Sequence, residues 1–272
     1  MRIGIAYLGA QTMEDLTRTS LLDGARATEA AGFDGLWFFD AVGRGHIHPD
    51  PLIALTLAAS VTKTLEVGTC ILQAPLRQTV NLARQALTAH LLCEGRFSFG
   101  VGAGSTRTDF EFSGLDFDSR LSDMGKALPL MQRIWRDEEV NGARINAWPA
   151  AKGGPPILIG SWAGKTWIPR AAKEFDGWIA SGARSTFNKL KDGVALYRSH
   201  GGKRAIVTNI KVDLSAPTED MPDDGPFHLC CDPKTAQQRF QRIVDLGYDD
   251  AIFVVPDHKT ETLDRVLQIT GK

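Results

Sequence analysis

The sequence predicts an α/β protein, a (β/α)8 barrel of the TIM type. Three observations predict it. Short apolar β-type runs alternate with amphipathic helical stretches along the chain, and eight such runs occur, at residues 3–8, 35–39, 65–71, 97–102, 157–160, 177–181, 206–210 and 251–255. The runs are nearly continuous in apolar residues, as parallel strands covered on both faces require. The length, 272 residues, is close to the roughly 250 that one such barrel uses. An open doubly wound sheet has the same periodicity, but eight units in a chain of this size favour closure. A closed barrel concentrates chemistry on the loops after its strands, so those loops are where site residues are sought.

The elements follow in order. A first helix is expected over 14–31, with Leu16, Leu21 and Ala25 at helical spacing and Gly32 ending it in the C′ position. Asp50 and Pro51 open the second helix as N-cap and N1, with Leu52, Leu55, Ala59 and Val61 as its apolar positions. The third spans 80–92, and the fourth spans 119–135 with Leu128, Met131 and Trp135 on one face. Residues 137–156, with Gly142, Gly153, Gly154, Pro155 and Pro156, are an irregular excursion before the fifth strand, expected to carry a hairpin around 140–145. Further helices are expected over 166–174, 187–200, 235–246 and 260–269, and 216–226, with three prolines and four acids, is a loop. Nothing divides the chain, so residues 1–272 are expected to form a single domain.

Composition excludes several classes of function. Lys and Arg number 31 against 32 Asp and Glu, a net charge of −1, which gives no reason to expect nucleic acid or an anionic membrane as partner. No apolar run approaches the roughly 18 residues of a membrane span. No signal-peptide core follows Met1-Arg2. The four cysteines, of which Cys230 and Cys231 are adjacent, have neither disulfide-framework nor metal-knuckle spacing. A reduced, cytoplasmic protein is therefore expected.

Several motifs carry chemistry. The glycines of Gly100, Gly102 and Gly104 follow the fourth strand, but Ser105 stands where a dinucleotide fingerprint needs its third glycine. Their lack of side chains lets a planar or phosphorylated ligand approach, or simply relieves a crowded barrel strand. The segment 160–166, Gly-Ser-Trp-Ala-Gly-Lys-Thr, is one residue short of Walker spacing, so a nucleotide triphosphatase is not expected. It still suits a phosphate dianion, offering backbone N–H groups at a helix start, the Ser161 hydroxyl and nearby Lys165. The alternative is a plain turn. Asp40 ends the second strand and is a candidate hydrogen-bonding or acid/base group, or a cap. His46 and His48 in the next loop suit proton transfer or substrate contact. As metal ligands they lack further partners, so no metal is expected. Arg77, Arg107 and Arg184 fall near strand C-termini, where one or two of them pair with an anionic ligand group.

Taken together, these residues resemble the bacterial luciferase-like superfamily of flavin- and deazaflavin-dependent oxidoreductases. The resemblance is carried by 31–37 (Ala-Gly-Phe-Asp-Gly-Leu-Trp), Asp50-Pro51-Leu52, Val67-Gly68-Thr69, Glu94-Gly95-Arg96-Phe97, Gly100-Val101-Gly102, Ile134-Trp135, 156–160 (Pro-Ile-Leu-Ile-Gly), Ala171-Ala172 and Asp176-Gly177-Trp178. It implies a barrel that is usually dimeric, with reduced FMN or coenzyme F420 in its mouth and a small organic molecule as substrate. By position it places Asp40 beside the ring. Thr69, Cys70 and Ile71 are placed behind it, with a non-prolyl cis bond at Cys70–Ile71. Gly102, Ala103 and Gly104 line the pocket, and Gly160, Ser161, Trp162, Ala163 and Gly164 take the phosphate. The compact length and the Gly68-Thr69-Cys70-Ile71 segment favour the deazaflavin. Two departures stand out: sugar-phosphate dehydrogenases of the superfamily carry His where Ala41 stands and an acid where Ser105 stands. His46 or His48 is the candidate replacement for the imidazole. The expectation is an oxidoreductase that transfers hydride to, or oxygenates, its substrate. The alternative is a flavin-binding barrel that has lost its acid/base residues.

Overall fold

The computed structural model describes every residue except 8–16, 46 and 163. Ten strands form one all-parallel sheet: β1 (Arg2–Tyr7), β2 (Gly35–Phe38), β3 (Glu66–Thr69), β4 (Leu72–Gln73), β5 (Phe97–Gly102), β6 (Ile157–Gly160), β7 (Gly177–Ser181), β8 (Ala205–Asp213), β9 (His228–Cys230) and β10 (Asp250–Val254). The order β1-β2-β3-β5-β6-β7-β8-β10 returns to β1, because β10 pairs with both β8 and β1. This is the expected closed eight-stranded barrel. The short β4 and β9 were not anticipated; each extends the rim, on β5 and β8 respectively.

The helices are α1 (Arg18–Ala30), α2 (Pro51–Ala59), α3 (Thr79–Leu92), α4 (Arg107–Phe112), α5 (Arg120–Trp135), α6 (Trp167–Glu174), α7 (Phe187–Ser199), α8 (Pro233–Asp245) and α9 (Thr260–Gln268). Local chemistry sets their ends. Thr17 and Ser20 cap α1 reciprocally, and Gly32, at φ +93°, follows its end. The Asp50 carboxylate accepts from the Leu52 and Ile53 amides at the start of α2, with Pro51 at N1. The expected start of the first helix falls partly in 8–16, outside the described residues. The expected hairpin near 140–145 is a single antiparallel bridge, Val140 to Ala143. Among the described residues no helix is long and apolar enough to cross a membrane.

Two apolar layers hold the barrel. The outer layer fills the space between strands and helices, and the inner one comprises Ala6, Trp37, Cys70, Leu158, Ile179, Ile206 and Ile252. Trp37 plugs the interior. A Cβ on Gly68 would lie 2.5 Å from its ring and one on Gly35 2.8 Å from its indole nitrogen, which explains glycines inside apolar strands. At the base, Arg204 donates to both oxygens of Glu66 (2.9 and 2.9 Å) and to both oxygens of Asp250 (2.9 and 2.8 Å). Arg2 and Ser98 complete this cluster on Glu66.

Candidate active site

The C-terminal strand ends surround a cavity of about 740 Å³, within the ~300–1,000 Å³ of small-molecule sites. A second hollow of about 710 Å³ continues outward between the 41–50 loop and α4, sharing Asp40, Ala41 and His48 with the first.

Asp40, at the end of β2, lines the cavity but is tied down. It accepts from two Arg77 guanidinium nitrogens (2.5 and 3.1 Å) and from the Gln73 backbone amide (2.8 Å). Arg77 also reaches Asp50 at 2.9 Å, so the α2 cap and the mouth share one cation. The Gln73 side-chain amide donates to the Asp40 carbonyl (3.1 Å) and to Asp109 (2.9 Å). Asp109, fully buried in α4, also accepts from Arg44 at 2.7 Å and from the Gly43 amide at 3.1 Å. Burial pushes the Asp109 carboxyl up, but hydrogen bonds from Arg44, Gln73 and Gly43 together outweigh it and hold it below the usual range. The chain Arg44–Asp109–Gln73–Asp40–Arg77–Asp50 thus stitches three loops around one side of the mouth.

The wall beyond this chain is built by close approach. The Cys70–Ile71 peptide is cis, at the bond the resemblance implies. Thr69 does not reach the cavity: it is fully buried, and its hydroxyl donates to the Gly100 carbonyl at 2.6 Å. A Cβ on Gly100 would lie 1.8 Å from the Thr69 carbonyl oxygen. Ile71 lies over β5 and β6, where a Cβ on Gly102 would meet it at 3.0 Å and one on Gly160 at 2.5 Å. Gly104, at φ +83°, would meet the Gln73 side chain at 2.3 Å. These four glycines are therefore demanded first by protein neighbours, while Gly102, Ala103, Gly104 and Gly160 also line the cavity. Cys70 also lines it, and burial pushes its thiol up to about 12, so it stays protonated.

The β6–α6 turn forms the opposite end. Ser161, Trp162 and Gly164 line it. The Trp178 indole donates to the Ser161 carbonyl at 2.7 Å, and the Ser185 hydroxyl to the Trp162 carbonyl at 3.3 Å, fixing the turn. Thr166 precedes α6 without a side-chain cap; the Ile168 N–H donates to the Gly164 carbonyl at 3.4 Å and Pro169 has no N–H, which leaves the Trp167 amide as the first-turn donor with no acceptor among the described residues. Two guanidinium groups line the cavity with no carboxylate partner among the described residues. Arg184 lies 5.8 Å from the Trp162 ring centroid, and Arg120 lies 3.7 Å from that of Phe117. Arg107, by contrast, pairs with exposed Asp118 at 3.1 Å and does not line the cavity.

A family model for luciferase-like monooxygenases matches residues 1–217. The chain belongs to that family. A 4-hydroxyprotoasukamycin monooxygenase from Streptomyces nodosus subsp. asukaensis is 27% identical over 142 residues, covering 48% of this chain and 38% of the relative. A protein of undefined activity from Sinorhizobium fredii is 26% identical over 174 residues, covering 60% of this chain and 49% of the relative. The chain thus spans about half or less of the length of these curated relatives. Among solved structures, a monooxygenase from Streptomyces bottropensis superposes with TM-score 0.79 at 16% identity, over 99% of this chain and 97% of that one. The coenzyme F420-dependent tetrahydromethanopterin reductase of Methanopyrus kandleri superposes with TM-score 0.78 at 14% identity, over 98% and 97%. At these identities the superpositions establish the luciferase-like barrel fold.

Within this luciferase-like mouth, Asp40, His48, Cys70 and Ile71 meet the glycines of β5 and the β6–α6 turn around one cavity. His46 and Ala163 lie outside the described residues. Sequence reasoning missed Arg44, Gln73, Arg120, Ser181, Thr208 and Asn209, all of which line the cavity, and Asp109 behind it. The missed signal for Arg120 is its place in the first turn of an anticipated helix, directed back over the mouth.

Proposed function

We propose that this chain is a flavin- or deazaflavin-dependent oxidoreductase that binds reduced FMN or coenzyme F420 in the barrel mouth and acts on a small organic substrate. The observation that carries this reading is the polarity of the cavity. Its lining includes the uncapped start of α6 and two guanidinium groups, Arg120 and Arg184, without a carboxylate partner among the described residues, whereas Asp40 and Arg44 on the β2 side are internally paired. Such a cavity fits a long ligand with a phosphate at one end and an uncharged ring at the other.

When bound, the cofactor supplies hydride transfer or, in the flavin case, oxygen activation. The chain's own residues do the rest. The Ser161 hydroxyl, the Trp167 amide, Arg120 and Arg184 would hold the phosphate. Ile71, propped on Gly102 and Gly160, offers an apolar face against which a ring rests. Asp40 keeps the 70–73 segment in place through Arg77 and the Gln73 amide, a positioning role. The cavity wall carries protonated Cys70, so no thiolate competes as a nucleophile. The His48 imidazole, on the Ala41 side of the mouth, is the group that holds or gives up a proton to substrate. The same reading makes the protein a cytoplasmic homodimer, and light scattering on purified protein gives the copy number.

Absorbance titration with FMN and, separately, with coenzyme F420 tests the proposal. Saturable binding of one of them, weakened by Arg120→Ala and Arg184→Ala, is the expected outcome. Binding of neither overturns it. His48→Gln is expected to retain cofactor affinity and lose turnover; unchanged turnover removes the proton role.

A further inference from the structure

We propose that Ser181 and Asn209 form a subsite for an uncharged oxygen group of the substrate, a carbonyl or a hydroxyl. This inference rests on the oxidoreductase reading, because the β3–β6 side of the mouth is there assigned to the cofactor. The observation behind it is a break in register. Ala251 pairs with Val207, but Phe253 pairs with Ile210, so Thr208 and Asn209 together oppose Ile252. This bulge places Asn209 at φ +57° within a strand, the left-handed region that side chains other than glycine rarely take up. Bulges at barrel rims re-aim side chains, and both Thr208 and Asn209 line the cavity. Asn209 Nδ2 donates to Ser181 Oγ at 3.2 Å. With its oxygen accepting, the Ser181 hydroxyl hydrogen has no acceptor among the described residues, nor has Asn209 Oδ1 a donor. The pair therefore presents one donor and one acceptor side by side.

The surroundings decide the chemical class. Ile179, Ala180, Ser181, Ala183, Thr208 and Asn209 make this wall, and none is charged. The unpaired guanidinium groups are absorbed at the phosphate end. Arg184, whose backbone N–H donates to the Ser181 carbonyl at 3.3 Å, is the cation beside this wall and is committed to the phosphate on the proposed reading, so the wall suits a neutral carbonyl or alcohol, which finds both hydrogen-bonding roles matched.

The test uses the full chain and three probes of one shape: cyclohexanone, methylidenecyclohexane and cyclohexanecarboxylate. The side-chain amide signals of Asn209 are assigned by their loss in Asn209→Gly, which keeps the backbone conformation open to the chain. Cyclohexanone is expected to shift these signals and to bind about tenfold more tightly than methylidenecyclohexane, the worth of one neutral hydrogen bond. That preference is expected to vanish in Asn209→Gly and Ser181→Ala, while FMN and F420 titrations of both variants match the parent chain. No shift with cyclohexanone, no preference over methylidenecyclohexane, or tighter binding of the carboxylate at these signals overturns the subsite. Failure of both cofactors to bind the parent chain overturns the oxidoreductase reading instead, and is read independently of the probes.

Discussion

The two ends of this barrel are built on opposite principles. At the base, charges are saturated: Arg204 commits its guanidinium to both Glu66 and Asp250, and Arg2 and Ser98 fill in around them. At the mouth, charge and hydrogen-bonding capacity are left over. Arg120 and Arg184 have no carboxylate among the described residues, α6 starts uncapped, and β8 bulges so that Asn209 enters the cavity. The difference teaches where stability and function lie in this fold. Satisfied polar groups at the base specify the closed ring, and unsatisfied ones at the mouth wait for a ligand. The mouth is not soft throughout. The Arg44–Asp109–Gln73–Asp40–Arg77 chain and the glycine contacts hold one side rigid, so the β6–α6 turn and the β7–β8 wall are left open.

This contrast is open to direct attack. The largest effect is expected at the base: Arg204→Ala leaves Glu66 and Asp250 buried without their main cation. Urea unfolding should register a loss of about 3–5 kcal/mol, with cofactor affinity unchanged wherever the protein stays folded. A loss under about 1 kcal/mol would end the claim that the base carries stability. Next comes Gly100→Ala, whose Cβ would sit 1.8 Å from the Thr69 carbonyl oxygen. Backbone cannot yield as a side chain does, so a cost of roughly 3 kcal/mol or failure to fold is expected. Arg120→Ala and Arg184→Ala should invert the behaviour of the base. Stability should stay within about 0.5 kcal/mol, while cofactor affinity falls by about 1.5–3 kcal/mol for each charge-assisted hydrogen bond to the phosphate that is removed. Rising salt should weaken that binding and leave the unfolding midpoint nearly unmoved.

A pH series sharpens the comparison further. Burial pushes the Glu66 carboxyl up, but hydrogen bonds and charge from Arg204, with Ser98 and Arg2, outweigh it and hold it below the ordinary carboxylate value. A depressed folded-state value means the stabilisation is complete above roughly pH 4.5 and is lost as pH falls through the lowered value. Glu66→Gln should flatten that acid limb in unfolding experiments from neutral pH downward. The smallest effect is expected at Arg107→Ala. This residue pairs with Asp118 in solvent and does not line the cavity, and a change within about 0.5 kcal/mol is expected by unfolding and none in cofactor titration.

Much of this architecture was legible in the chain because its signals are local. Apolar runs bounded by turns marked the eight barrel strands, and Asp50-Pro51 marked a helix start to the residue. The elements that escaped are those whose cause is remote. Helix α4 is six residues long, without an amphipathic stripe, and it is anchored by Asp109 reaching Arg44 and Gln73 far away in sequence. Thr69 stood in the right segment, but its hydroxyl faces Gly100 rather than the cavity. Gln73 carried no motif, since its role exists only where Asp40 and Asp109 come within its reach.

By itself, then, the sequence determined the order of strands and helices and the rim segments that follow the strands, and it favoured the closed ring that β10 completes by pairing with β1 and β8. Those follow from periodicity, caps and breakers, which act over a few residues. Only the tertiary structure decided which rim cations stay unpaired, which glycines answer to protein neighbours and where β8 slips its register. Each of these is settled by a neighbour distant along the chain, and such a neighbour leaves no local pattern to read.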